Sequence, residues 1–275
     1  MARLRLFFVE KMNNEAPPFL KGFRALRIPV LDKDGNSAWP ELFTLDKIMS
    51  LRDAAGQRHF SAQMMLEYIS EENAWLNPES LIAYDNINEF KITGSSLYWD
   101  PSSGTHKSDG SACAFILRDD SARRAFIHDI KYFKANEDDL HPMATQCSQA
   151  LDFMLECGAR TLSIEVNGMG GALPEILRNL ANLRGQSVII TKITNRESKT
   201  ARIINSIEPL LDTGRLYINS NLVGGQLWHE FSQWDVSANL CHDDGLDAVA
   251  GALRVRPVPV RPAARPITAQ TEFSI

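Results

Sequence analysis

No stretch of these 275 residues approaches the roughly 20 consecutive apolar residues needed to span a bilayer. The basic and apolar start, Met1 to Val9, is cut off by Glu10 and Lys11, too soon for the apolar core of a signal peptide. Only four cysteines occur, at 113, 147, 157 and 241, and none forms a C-x-x-C pair. Reduced thiols are therefore expected rather than a disulfide framework or a zinc site. No G-x-x-x-x-G-K-[ST] run is present, so nothing argues for nucleotide hydrolysis. There is no surplus of positive charge either. The formal charge is −5, which excludes coating nucleic acid by bulk charge but not an acidic active site that acts on it. These absences lead to the expectation of a soluble, intracellular chain without a membrane partner.

With 44% hydrophobic residues the chain can bury a core. The organising stretch is Leu97-Tyr98-Trp99-Asp100 followed by Pro101-Ser102-Ser103-Gly104, an apolar run that delivers one carboxylate to a strand end and then turns. Strands are expected at 111–117 and 125–133, joined by a charged hairpin at 118–124. They are followed by a helix over 142–157, a short strand over 162–166 ending near Glu165, and a helix over 171–183 with Pro174 in its first turn. A β-branched strand at 187–193, a helix at 199–211, extended segments at 215–219 and 226–234, and a helix from Asp243 to about 253 complete the series. Three antiparallel strands followed by alternating α and β units predict an α/β fold of RNase H-like (RuvC-like) type, a mixed central sheet flanked by helices.

Before that unit, residues 1–93 read as a connector, with helices expected at 45–52 (capped by Thr44) and at about 59–72. After it, residues 254–275 carry four Arg and four Pro and are expected to be extended and poorly ordered. The expected units are thus 1–93, 94–253 and 254–275.

Three acidic clusters fall at element ends: Asp100, Glu165, and the run His242-Asp243-Asp244-x-x-Asp247 at a helix start. Carboxylate oxygens suit hard divalent cations, and two such ions roughly 3.5–4 Å apart serve phosphodiester hydrolysis. Asp100, Glu165 and Asp244 are the expected ligands, with Asp243 and Asp247 beside them. The bland readings are a solvent-facing strand residue for Glu165, helix capping for Asp243 and Asp244, and a surface histidine for His242. Lys192, Arg196, Lys199 and Arg202 form a basic run that either contacts phosphates or is a solvated face. The cluster Asn167-Gly-Met-Gly-Gly171 is either a phosphate-receiving turn or turn geometry alone. Trp228 and Trp234 read as core residues.

In order and spacing, several motifs resemble the nuclease domain of the large terminase subunit of tailed bacteriophages. They are Leu97 to Asp100 with Ser103-Gly104, Asp109 to Ala112, Ile164-Glu165-Val-Asn167-Gly168-x-Gly170, Lys199 to Gly214, and His242 to Ala248. The segment 37–78 is similar to the joint between packaging ATPase and nuclease. This resemblance implies cutting of concatemeric viral DNA during genome packaging, dependent on two Mg2+ or Mn2+ ions held by Asp100, Glu165 and Asp244. It implies Lys199 and Arg202 near the DNA, and double-stranded DNA, a packaging ATPase, a portal protein and a small terminase subunit as partners. The setting would be the cytoplasm of an infected or lysogenic host. A RuvC-type junction resolvase and a non-catalytic docking module of a packaging motor are the competing expectations.

Overall fold

The computed structural model describes residues 28–66, 76–102, 111–133, 139, 141–167, 171–234 and 243–260. In chain order these form α1 (Leu45–Gln63), β1 (Ile82–Tyr84), β2 (Gly94–Asp100), β3 (Ser111–Asp119), β4 (Arg124–Phe133) and α2 (Pro142–Glu156). There follow β5 (Thr161–Glu165), α3 (Leu173–Leu183), β6 (Ile189–Ile193), α4 (Lys199–Asp212), β7 (Leu216–Asn219), α5 (Gln226–Gln233), α6 (Asp244–Arg254) and β8 (Val258–Pro259). The strands make one sheet in the order β1-β7-β4-β3-β2-β5-β6, with β8 paired to β2. Within the five central strands β4-β3-β2-β5-β6, β3 alone runs against its neighbours. That is the RNase H-like sheet expected from the element order.

Strand alternation sorts the two faces. Leu97, Trp99, Cys113, Phe115, Leu162 and Ile164 point into the core beneath α2 and α3. Tyr98, Ala112, Ala114, Ile127 and Ile218 point into the second core, beneath α4, α5 and α6. Asp100 and Glu165 share parity with Tyr98 and Ser163, so both acids lie on the α4/α6 face. Ser163 and Glu165 are buried there, at 7% and 8% exposure, rather than facing solvent.

Helix α6 can lie close to the sheet because small residues meet at the contact. Ala112 and Ala114 form the floor, and Ala248, Gly251 and Ala252 form the underside. A Cβ on Gly251 would stand 2.2 Å from Cε1 of Tyr98. Both ends of α6 are pinned. Arg118 of β3 donates to the carbonyls of Ala252 and Leu253 at its C-terminal end, where a cation opposes the helix dipole. Glu230 of α5 accepts from the Leu246 N–H at its N-terminal end (3.1 Å).

The structure departs from the expectations in three elements. A single helix, α1, runs from Leu45 to Gln63 where two were expected, because a lone glycine at 56 does not stop a helix. The segment 226–234, expected as extended, is helix α5. The buried pair Leu227 and Phe231 has helical spacing, and this outweighs the two tryptophans that suggested a strand. Trp234 is nonetheless in the core and Trp228 packs against it. The sheet also reaches past both edges of 94–253: β1 lies at one end, Leu76 and Leu81 join the core, and β8 pairs with Gly94 and Ser95. The rest of the Arg/Pro tail, from 261, lies outside the described residues. Among the described residues Cys113, Cys147 and Cys157 are free thiols, and no helix is long and apolar enough to cross a membrane.

Candidate functional site

Asp100 ends β2 and Glu165 ends β5. The two strands are parallel with Trp99 opposite Ile164, so the carboxylates emerge side by side from adjacent strand ends. The α6 N-terminus supplies Asp243, Asp244 and Asp247 to the same place. Asp247 is 2% exposed and Asp244 6%, so this is a buried acidic cluster.

Glu165, Asp247 and Asp243 are held by donors. The Tyr98 hydroxyl and the Asn195 amide both donate to Glu165 Oε2 at 2.8 Å, and the Asn167 amide donates to Oε1 at 2.8 Å. Burial and the Glu165 charge push the Tyr98 hydroxyl far above its ordinary range, so it stays a donor. Arg202 grips Asp247 in a fork, Nε at 2.6 Å and Nη2 at 2.5 Å, and its Nη2 also stands 3.6 Å from Glu165. Lys199 Nζ lies 2.6 Å from Asp243, 3.7 Å from Asp244 and 3.8 Å from Asp247. Burial alone would lower the Lys199 ammonium, but its three aspartates outweigh that and keep it charged. Asp100 is driven the other way. Burial, then the charges of Asp247 and Glu165, raise its carboxyl well above the usual carboxylate range, and Lys199 and Arg202 only partly offset this.

The basic run therefore divides. Lys199 and Arg202 turn inward onto the acids, while Lys192 and Arg196 remain exposed, and Lys192, paired with Ile164, lies on the α2/α3 face of the sheet, away from the acids. Asp243 makes no side-chain capping bond, so the capping reading fails for its side chain. The first turn of α6 is served from outside by Glu230, which nothing in its own stretch of sequence announces. Burial pushes its carboxyl up to about 7. Gly245 is what admits it, because a Cβ there would stand 2.7 Å from Glu230 Oε2 and 2.0 Å from the Tyr132 hydroxyl. Tyr98 and Asn195 were also missed; strand parity alone would have placed Tyr98 beside Asp100. His242 and glycines 168 and 170 lie outside the described residues.

Among the described residues no three or more His, Cys, Asp or Glu side chains stand as a ready-made metal cage. The positive charge among these acids belongs to Lys199 and Arg202. The donor set, all carboxylate oxygen, still fits hard divalent ions such as Mg2+ or Mn2+.

No family model and no curated protein matches the sequence. Among solved structures, the chain is similar to the nuclease domain of the P22 large terminase, at 14% identity and a TM-score of 0.48, over 66% of this chain and 91% of that one. It is also similar to the human cytomegalovirus terminase nuclease domain, at 13% identity and a TM-score of 0.46, over 62% and 87% of the two chains. A third likeness is to the yeast mitochondrial Holliday junction resolvase, at 12% and 0.37, over 58% and 76%. The cytomegalovirus domain has also been solved after soaking with manganese. Likeness at such identities concerns the fold.

Proposed function

We propose that this chain is a divalent-metal-dependent endodeoxyribonuclease that cuts double-stranded DNA at the Asp100 cluster. The observation that carries the reading is the convergence of buried Glu165, Asp244 and Asp247 with partly buried Asp100, from two strand ends and one helix start, where among the described residues Lys199 and Arg202 stand against them. Structural ion pairs do not need so many buried acids at one point, because their mutual repulsion destabilises the fold. Asp100, Glu165 and Asp244 would hold the ions, with Asp243 and Asp247 adjacent. Bound divalent ions supply polarisation of the phosphodiester and a more acidic water.

The chain's own residues prepare that site. Tyr98, Asn195 and Asn167 fix the plane of the Glu165 carboxylate, and Arg202 fixes Asp247. Lys199 balances charge until ions arrive. Exposed Arg196, between β6 and α4, would receive a backbone phosphate of the duplex; Lys192, which shares a sheet face with Ile164, would meet DNA only beyond that edge. By the sequence resemblance, the DNA is concatemeric viral DNA cut during packaging, with an ATPase, portal protein and small terminase subunit as partners.

Nicking of supercoiled plasmid with Mn2+, Mg2+ or EDTA, beside Asp100→Asn, tests the activity. Metal-dependent nicking lost in the variant supports the proposal. Folded protein inactive with both metals, or a fully active variant, sinks it. Preference for a four-way junction over linear duplex would favour the resolvase instead.

A further inference from the structure

At the end of the molecule away from Asp100 lies a cavity of about 580 Å3, between the C-terminal halves of α4 and α6, the β3–β4 turn and α1. Three arginines line it from three separate places: Arg123 in the turn, Arg215 just before β7, and Arg254 ending α6. One acid faces them. Asp53 of α1 lies 3.4 Å from Arg215 Nη2, a loose pair with both side chains partly exposed. Arg254 pairs with Glu197, which is not among the lining residues. No acid is paired with Arg123 among the described residues. It also adopts a left-handed backbone, φ 53°, unfavourable for a residue with a Cβ.

The remaining wall is not charged. Ala54, Pro209, Leu210 and Leu253 form an apolar side. Pro209, inside α4, has no N–H to offer the Asn205 carbonyl, and Asn205 and Ser206 add polar groups to the lining. Guanidinium forks match phosphate oxygens. The volume is that of a pocket for an organic ligand, far more than inorganic phosphate needs. We propose that this cavity binds a nucleoside di- or triphosphate, without hydrolysing it. The phosphates sit against Arg123, Arg215 and Arg254, and the uncharged part against the apolar side.

The test is calorimetric titration of the full chain in EDTA with ATP, ADP, pyrophosphate, inorganic phosphate and a short DNA duplex. ATP or ADP is expected to bind at one site, about tenfold more weakly after Arg123→Ala. Ala54→Trp, which fills the cavity without changing its charge, is expected to weaken binding at least as much. Asp100→Asn, at the other end of the molecule, leaves it intact. Melting temperatures without ligand identify any variant that fails to fold. Absence of nucleotide binding, nucleotide binding unaffected by both cavity variants, or pyrophosphate binding as tightly as ATP overturns the proposal. So does a site that takes only the duplex.

Discussion

Arg202 and Asp247 are almost sealed from water, at 6% and 3% side-chain exposure, and joined by two charge-assisted bonds. Removing one partner of such a pair strands the other, so Arg202→Ala should cost about 3–5 kcal/mol of folding stability. Arg202→Lys should restore only part of it, because an ammonium cannot form the fork. Urea unfolding in EDTA measures both; a loss near zero would show that the pair anchors nothing. Glu230 offers a pH test. Its carboxyl titrates near 7 in the folded chain against about 4.5 in the unfolded one. The folded state thus binds this proton more tightly. The contribution to stability is complete below the unfolded value and is lost as pH rises through about 7. Glu230→Gln should flatten that part of the curve, on the order of 2 kcal/mol between pH 4.5 and 7.5. Parallel curves for the two proteins would refute the assignment.

At the scale of elements, α6 is the piece whose placement makes the site. Its underside of Ala and Gly lets it lie on Tyr98 and on the alanines of β3, and Arg118 and Glu230 pin its ends. Gly251→Ala puts a methyl where the Tyr98 ring already is. Either α6 lifts or the ring shifts, and overpacking of this kind destabilises by roughly 1–3 kcal/mol. Tyr98 also donates to Glu165, so the same substitution should weaken Mn2+ binding as well as lower the melting temperature. A drop in stability with unchanged metal affinity would mean that the α6 seat and the acidic cluster are independent.

For the molecule as a whole, the proposed metal site would couple ion binding to folding. The metal-free chain relies on Lys199 to balance Asp243, Asp244 and Asp247. Lys199→Ala should therefore lower the melting temperature in EDTA. It should also enlarge the rise produced by Mn2+, since an ion then replaces charge that the lysine no longer supplies. A ligand that binds only the folded state at a hundred times its Kd adds about 2.7 kcal/mol. An Mn2+-induced rise no larger than in the parent chain would contradict this balance of charges.

Much of this was legible in the residues themselves. The run into Asp100, the strand ending at Glu165 and the order of three strands followed by alternating units determined the sheet, because strand period and turn chemistry are local properties. That both acids share a face rests on the β2–β5 register, Trp99 opposite Ile164, which parity within either strand does not give. Only the tertiary structure decided what surrounds them. That Lys199 and Arg202 turn inward while Lys192 and Arg196 stay outside depends on how α4 sits over the sheet. That Glu230, rather than Asp243, serves the first turn of α6 depends on α5 crossing there. Pairings between residues 16 to 45 positions apart leave no period in the chain, so packing alone selects them.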